Sequence, residues 1–196
     1  MSVAPKQPEH TTPAWPTPPS GGYTADDLDT LPDLPPHTEL IDGSLVFVTP
    51  QSSFHFETIL TLLNGLRRTV PDDLAVKGEM TIVINGQQRP EPDLIVLRAE
   101  ALGGGEETQY DAADVVLAVE VVSPESKERD RETKPLKYAK AGIQHFWRVE
   151  KEKGKPVVYV FELEPATGVY VPTGIHRDRL KLSAPFDIDI ALTLAR

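Results

Sequence analysis

One acidic residue lies inside the most apolar segment of the chain, and it constrains the fold more than any other feature. In LAVEVVSPES, residues 117 to 126, Glu120 stands within a run of valines that predicts a buried strand. Side chains alternate between the two faces of a strand, so Glu120 shares its face with Val116, Ala118 and Val122. An ionised carboxylate buried without a partner costs several kcal/mol. Glu120 is therefore expected to be protonated, paired with a cation or bound to a metal.

The length and composition predict one globular domain. A chain of 196 residues, 39% of them hydrophobic, can bury a single core, and the absence of cysteine excludes disulfides and cysteine-ligated zinc. The start, MSVAPKQPEH, lacks a signal-peptide stretch, and no run reaches the roughly 18 apolar residues of a membrane span, so we expect a cytoplasmic protein. A formal net charge of −10 disfavours nonspecific adhesion to nucleic acid. Any nucleic-acid contact should therefore be local.

The distribution of proline separates a tail from this domain. Six prolines fall within residues 1–22, among Ser, Thr and Gly, so this segment is expected to be a disordered tail and residues 23–196 the single domain. Residues 23–31 then predict a short helix. Residues 38–48 predict a hairpin that turns at Asp42-Gly43, a dipeptide that tolerates positive φ.

Helices and strands alternate through the rest of the chain. Residues 52–68 predict an amphipathic helix packed on a sheet, because their apolar side chains recur at helical spacing: Phe56, Ile59, Leu60, Leu63 and Leu66. Strands are predicted at about 74–84, 92–98 and 115–122, followed by a helix in the second half of 126–142 and the strands HFWRVEKE and PVVYVFELE. This order predicts an α/β (α+β) fold with a mixed central sheet flanked by helices.

A second carboxylate, Asp93, begins a predicted strand in RPEPDLIVL. If the strands of Asp93 and Glu120 are neighbours, the two carboxylates converge, and they cannot both stay ionised without a cation between them. Oxygen ligands suit Mg²⁺ or Mn²⁺, and the backbone carbonyl of Val121 could add a third ligand. The alternatives are that Asp93 simply belongs to a Pro-Asp turn and that Glu120 forms a structural salt bridge to Lys or Arg.

The ordered set of motifs resembles the PD-(D/E)XK nuclease superfamily and, within it, the Uma2 (Uma-two) family of putative restriction endonucleases. The motifs extend over roughly residues 23–190: YTADDLDTLP, TELIDGSLV, SSFHFETI, RPEPDLIVL, VEVVSPES, RDRETKPLKYAKAGI and HFWRVE. The resemblance implies a restriction-endonuclease-like core of helix, three-stranded meander, helix and strand. It also implies hydrolysis of DNA with Mg²⁺ (or Mn²⁺), held by Asp93, Glu120 and the carbonyl of Val121.

The chain departs from the superfamily pattern at one catalytic position. The lysine expected two residues after the glutamate is replaced by Val122, and the related family places a lysine on the following helix, which corresponds here to Lys134. Pro135 disfavours αR geometry at the residue before it, which leaves the direction of Lys134 open. Lys134 could instead be a solvated helix residue that pairs with Asp130, four positions earlier.

Three further residues are weaker candidates on the same resemblance. Glu39 matches an acid of the family pattern and would reach the metal or its water, unless it is a surface acid on an edge strand. His55 matches a family position and would contact phosphate or water. Glu57 lies where a superfamily helix often contributes an acid, although a solvated helix face explains it as well.

The sequence leaves three functions open. The first is a metal-dependent DNA endonuclease in which Lys134 positions the attacking water. The second is a nucleic-acid or protein binding module of the same fold with weak or lost hydrolysis, and the third is a dimeric interaction protein whose acids are structural. A homodimer is expected, with an edge supplied by PVVYVFELE and GVYVPTG. Five cations could face a DNA backbone, although interspersed acids favour an ordinary mixed surface: Lys127, Arg129, Arg131, Lys137 and Lys140.

Overall fold

The computed structural model describes residues 17–194. Most of the predicted tail, residues 1–16, therefore lies outside the described residues. The part of it that is described ends in a turn, in which the Gly22 amide donates to the Pro19 carbonyl at 2.8 Å. The next amide, of Tyr23, donates to the Gly43 carbonyl at 2.8 Å, so the chain enters the domain beside the predicted hairpin.

The first elements are short. The helix predicted at 23–31 is a single turn, α1 (Asp27–Thr30). The predicted hairpin is confirmed as β1 (Glu39–Ile41) and β2 (Ser44–Val46), which pair antiparallel. Asp42 and Gly43 between them have φ of 50° and 70°, as a type I′ turn requires.

The first long helix forms where predicted, and three of the five apolar residues expected inside, Ile59, Leu63 and Leu66, pack against the core. It is α2 (Ser53–Thr69), and Ser52 caps it by accepting a hydrogen bond from the backbone N of His55. Phe56 and Leu60 were expected inside but are 60% and 37% exposed. The buried residues of α2 are His55, Thr58, Leu62, Gly65 and Leu66. A Cβ on Gly65 would lie 2.6 Å from the side chain of Ile190, so close approach at this small residue centres the buried face near Gly65 and leaves Phe56 and Leu60 at its margin.

The remaining elements build one mixed sheet with small additions. In chain order they are β3 (Leu74–Gly78), β4 (Thr81–Val83), β5 (Leu94–Arg98), β6 (Gln109–Asp111), β7 (Val115–Val121), α3 (Lys134–Lys140), β8 (His145–Glu152), β9 (Lys155–Glu164), β10 (Val169–Arg177), β11 (Arg179–Leu182) and β12 (Ile188–Ala191). The main sheet has the order β10-β9-β8-β7-β5-β3. Strands β3, β5 and β7 form the predicted antiparallel meander, and α3 connects β7 to the parallel strand β8. The strand predicted at 74–84 is broken at Glu79, where φ is 52°, and β4 pairs with β6 instead.

The two faces of β7 belong to different cores. Leu117, Val119 and Val121 pack in the cluster that includes Leu62 and Leu66 of α2. Ala118 packs in the second cluster, which includes Tyr138 of α3 and Phe146 of β8. Because side chains alternate along a strand, Glu120 lies on the α3 side of the sheet. The predicted mixed sheet flanked by helices is thus confirmed, with one helix over each face of β7.

One edge of the main sheet is β10, which carries exposed apolar side chains: Val169, Val171 and Ile175. Its register against β9 shifts between Pro172 and Gly174. Among residues 17–194, none of the helices has the length and apolar character needed to cross a membrane.

Candidate active site

Asp93 and Glu120 lie on adjacent strands. In the antiparallel pair of β5 and β7, Leu94 is opposite Val119, which places Asp93, one residue before β5, next to Glu120. Both residues line one cavity of about 420 Å³, together with Glu39, His55 and Lys134. The prediction that the strands bearing Asp93 and Glu120 are neighbours in one sheet is therefore confirmed.

Asp93 is fixed from two directions. His55 Nε2 is 2.9 Å from Asp93 Oδ1, and the backbone amide of Val121 donates to Oδ2 at 2.5 Å. Burial lowers the pKa of His55, but the hydrogen bond and the charge of Asp93 outweigh this effect and leave the pKa raised. His55 thus connects the first turn of α2 to the end of β5, and its protonated form is favoured next to Asp93.

Glu120 has partners that explain its place in an apolar strand. The Tyr138 hydroxyl donates to Glu120 Oε1 at 2.5 Å, and Lys134 Nζ lies 3.2 Å from both carboxylate oxygens. Burial raises the pKa of Glu120 well above its usual range, and the charge of Lys134 offsets only part of that rise. Both partners come from α3, which packs against the face of β7 that carries Glu120.

Lys134 reaches the site from a helix rather than from a strand. It keeps αR geometry, with φ −62° and ψ −44°, although Pro135 follows it. Pro135 lies in the first turn of α3, where its missing N–H costs no helical hydrogen bond, and a π-helical turn (Arg129–Thr133) precedes it. Lys134 is only 4% exposed, so the alternative of a solvated helix residue is wrong.

Three carboxylates surround the ammonium of Lys134. Nζ lies 2.8 Å from Glu39 Oε1, 3.2 Å from Glu120 and 3.6 Å from Asp130 Oδ1. Burial lowers the pKa of Lys134, but these three charges outweigh it and hold the pKa well above its usual range. Glu39 is 1% exposed, so the alternative of a surface acid on an edge strand is wrong.

Two residues of this cluster were not singled out as site residues in the sequence. Asp130 is buried, accepts a hydrogen bond from the Ser126 hydroxyl and lines the cavity, and Tyr138 holds Glu120. Asp130, Lys134 and Tyr138 follow one another at intervals of four residues, which is the spacing of neighbours on one helical face. That spacing is the sequence signal from which Asp130 and Tyr138 could have been predicted to lie beside Lys134.

Of the remaining candidates, only Arg129 lines the cavity. Glu57 is partly buried on α2 and is not among the residues that line the cavity. Three of the five candidate cations form ion pairs with acids: Arg129 with Glu125, Arg131 with Glu150 and Lys137 with Asp42. These pairs favour the mixed-surface interpretation over a dedicated DNA-facing patch.

The chemistry of the cluster suits a divalent cation in part. Acids outnumber basic residues in the lining of the cavity, and Asp130 Oδ1 is buried without a hydrogen-bond partner. The acids are Glu39, Glu79, Glu91, Asp93, Glu120 and Asp130, and the basic residues are His37, His55, Arg129 and Lys134. Hard oxygen ligands in excess fit Mg²⁺ or Mn²⁺. Within residues 17–194, however, no three His, Cys, Asp or Glu side chains are arranged as a metal site. The ammonium of Lys134 already lies among three of these acids, Glu39, Glu120 and Asp130, whereas Asp93 is paired with His55 at 2.9 Å instead.

We expect Asp130→Asn to change the pH dependence of stability. Burial raises the pKa of Asp130 from 3.8 to about 6, although Lys134 and Ser126 lower it in part. A raised acid pKa means that the folded state binds more protons, so stability falls as pH rises from about 4 to 6 and is level above that window. The variant has no carboxyl group to ionise at this position and so avoids this loss of stability. Its free energy of unfolding, measured relative to that of the wild type, should therefore rise by about 2 to 3 kcal/mol between pH 4 and pH 7. Urea denaturation at both pH values measures the change, and a difference that does not depend on pH would contradict it.

Comparison with known proteins gives one family. The Uma2 family model, described as "Putative restriction endonuclease", matches residues 25–195. A search of curated proteins gives no match.

Two solved structures are similar. One is the crystal structure of a putative nuclease belonging to DUF820 from Anabaena variabilis ATCC 29413, with 16% identity and a TM-score of 0.62, over 83% of this chain and 89% of that one. At this identity the likeness shows the fold alone. The other is P. aeruginosa ATCC27853 NucC in its cAAA-bound form, with 10% identity and a TM-score of 0.36, over 64% of this chain and 85% of that one.

Proposed function

The chain belongs to the Uma2 family of putative restriction endonucleases, and we propose that it is a nuclease that hydrolyses phosphodiester bonds of DNA with a divalent cation, Mg²⁺ or Mn²⁺. The observation that carries the proposal is the meeting of Asp93, Glu120 and Lys134 in one cavity, although they come from two strands and a helix. The choice of DNA as the substrate rests on family membership.

The roles of the acids follow from their contacts. Asp93, Glu120 and the carbonyl of Val121 would hold the cation, and His55 keeps Asp93 in place through its 2.9 Å contact. A divalent cation in such a site lowers the pKa of a bound water and offsets negative charge in the transition state. Tyr138 occupies Glu120 Oε1 and so fixes the orientation of that carboxylate.

Lys134 is the group that would position water or a phosphate oxygen. An ammonium has three N–H donors. Glu39 and Glu120 accept from Nζ at 2.8 and 3.2 Å, whereas Asp130 at 3.6 Å lies beyond hydrogen-bonding distance. One N–H therefore stays available to a group in the cavity, which is the role that the superfamily lysine would otherwise fill from the position of Val122.

Further parts of the proposal concern organisation. We propose that residues 23–196 act as one domain behind a Pro-rich tail, that two copies pair to cut both strands, and that the protein works in the cytoplasm. These statements rest on the sequence arguments above.

A binding module of the same fold is the second candidate. The observation that favours it is the ion-pair cluster itself, because Lys134 compensates Glu39, Glu120 and Asp130 without a metal. A site neutralised in this way is stable without a metal, but it offers a divalent cation fewer free carboxylate oxygens. Such a protein would bind DNA or a protein partner and cut slowly or not at all.

Incubation with DNA separates the two candidates. We expect the wild type to nick or linearise plasmid DNA in Mg²⁺ or Mn²⁺ but not in EDTA, and Asp93→Asn to lower the rate at least about 100-fold because it removes a ligand charge. Glu57→Gln is the matched control, since Glu57 lies outside the cavity, and it should cut like the wild type. Retained DNA binding without metal-dependent cutting would favour the binding module, and neither binding nor cutting would favour an interaction protein.

A further inference from the structure

We propose that Glu39 is a positioning residue for Lys134 and not a metal ligand, so that the first hairpin of the chain holds the lysine in the site. This inference rests on the proposed function and assigns a different role to the acid of β1. The contact between Glu39 Oε1 and Lys134 Nζ, at 2.8 Å, is the shortest of the three that surround the ammonium.

The contacting oxygen of Glu39 is already occupied twice. Oε1 accepts from Lys134 Nζ and also from the backbone amide of Glu91, each at 2.8 Å. Two donors use both lone pairs of a carboxylate oxygen, so only Oε2 of Glu39 is left to reach a metal. Glu39 is also buried, at 1% exposure, and its two contacts through Oε1 restrict rotation of the carboxylate.

The backbone that carries Glu39 is held firmly. The amide of Leu40 donates to the carbonyl of Arg89 at 3.0 Å, and the amide of Arg89 donates back to Leu40 at 2.8 Å. Arg89 in turn donates to both carboxylate oxygens of Asp29 in α1, at 2.7 and 2.9 Å. The position of Glu39 is thus set by segments from three parts of the chain.

A second ion pair joins the same hairpin to the same helix. Lys137 Nζ lies 2.7 Å from Asp42 Oδ1, three residues along from Lys134 on α3 and three residues along from Glu39 on the hairpin. The Asp42 side chain is 66% exposed, whereas that of Glu39 is 2% exposed. The outer pair, Asp42 with Lys137, is exposed and docks the hairpin on α3. The inner pair, Glu39 with Lys134, is buried and is the one that contacts the proposed site.

The inner pair of Glu39 and Lys134 fixes the direction of the lysine ammonium. Lys134 has a flexible four-carbon stem, and Glu120 alone would let the ammonium settle in any orientation against its two oxygens. Glu39 accepts on another side of Nζ, which fixes the ammonium between β1 and β7 and directs the remaining N–H.

Manganese binding and cleavage test the inference together. Glu39→Gln keeps an acceptor for the Glu91 amide but loses the charge that holds Lys134. By calorimetry its affinity for Mn²⁺ should stay within about threefold of the wild type, whereas Asp93→Asn should lose more than about tenfold. Its cleavage rate at saturating Mn²⁺ should fall about 10- to 100-fold. Asp42→Asn, the matched control on the outer pair, should change neither quantity.

A third readout does not depend on activity. The ammonium protons of Lys134 should exchange slowly with water in nitrogen-15 NMR spectra of the metal-free protein, and Glu39→Gln should speed that exchange at least about tenfold because the charged acceptor at 2.8 Å becomes a neutral one. Asp42→Asn should leave the exchange rate of the Lys134 ammonium unchanged. If Glu39→Gln fails to fold, Glu39→Asp keeps the charge on a shorter side chain and should give the same pattern with smaller losses.

Two results would overturn the inference. Loss of Mn²⁺ affinity in Glu39→Gln as large as in Asp93→Asn would make Glu39 a ligand, and unchanged exchange of the Lys134 ammonium would mean that Glu39 does not hold it. A wild type that binds Mn²⁺ but does not cut DNA would count against the proposed function alone, because the affinity and NMR readouts would still decide the role of Glu39.

Discussion

Replacing Lys134 with methionine is expected to lower the free energy of unfolding by about 3 to 5 kcal/mol. The substitution keeps the length of the side chain but leaves Glu39, Glu120 and Asp130 buried, each at most 2% exposed, without their common cation. Carboxylates in that situation must take up protons or admit water, and either change favours the unfolded state. Urea denaturation at pH 7.5 measures the loss, which should be smaller at pH 5, where protonation of the acids costs less.

The control for this substitution is Lys137→Met. Lys137 belongs to the same helix and pairs with Asp42 at 2.7 Å, but that acid is exposed. Exposed ion pairs contribute about 0 to 1 kcal/mol, so the expected loss is no larger than that. Equal losses for Lys134→Met and Lys137→Met would mean that the buried acids are not ionised, and the charge arguments made for the cluster would fail with them.

Manganese is expected to raise the melting temperature of the wild type. It should leave the melting temperatures of Asp93→Asn and Glu120→Gln unchanged. A ligand that binds only the folded state adds about 2.7 kcal/mol at 100 times its dissociation constant, which for a chain of this size corresponds to roughly 5 to 10 °C. Each variant removes a ligand charge, so the increment should vanish. Thermal melts with Mn²⁺ and with chelator measure it, and Asp189→Asn, which alters an exposed pair with Arg179 on the β11–β12 hairpin, should respond like the wild type.

Thermal melts in chelator also test why Glu120 is tolerated in an apolar strand. Glu120→Gln leaves Lys134 with Glu39 at 2.8 Å and Asp130 at 3.6 Å, so no cation is stranded. The metal-free variant should therefore be as stable as the wild type or slightly more stable, in contrast to Lys134→Met. Strong destabilisation of Glu120→Gln in chelator, with no response of the wild type to Mn²⁺, would identify the cluster as structural only.

The strands could be predicted because they depend on local patterns, and alternation along 115–122 predicts β7 and the isolation of Glu120. The antiparallel meander of β3, β5 and β7 was predicted only through the family resemblance, because residues 79–93 and 99–114 separate its strands. Lys134 could be assigned only through the family resemblance, since no local pattern directs a residue before a proline into a buried site. The π-helical turn that precedes it has no periodic signature in the sequence.

The parts that could not be predicted depend on contacts distant in sequence. The approach of Gly65 to Ile190 on β12, 125 residues later by their numbers, shifts the buried face of α2, so the prediction failed at Phe56 and Leu60 but held at Ile59, Leu63 and Leu66. The pairing of β4 with β6 likewise joins segments separated by a whole strand, β5. The burial of Asp130 depends on the packing of α3 against the sheet, whereas its surroundings in sequence, SKERDRET, are typical of a solvated helix.

The irregularity in β10 restricts how copies of this chain can associate. Pro172 has no amide hydrogen to offer a neighbouring strand, and the register shift beside it twists the edge. A second molecule that approached this edge would find a ladder interrupted near its middle, so continuous extension of the sheet, and with it fibre growth, is disfavoured. Any pairing there must rely on side chains such as Val169, Val171 and Ile175, which gives a contact that closes on two copies more readily than it propagates.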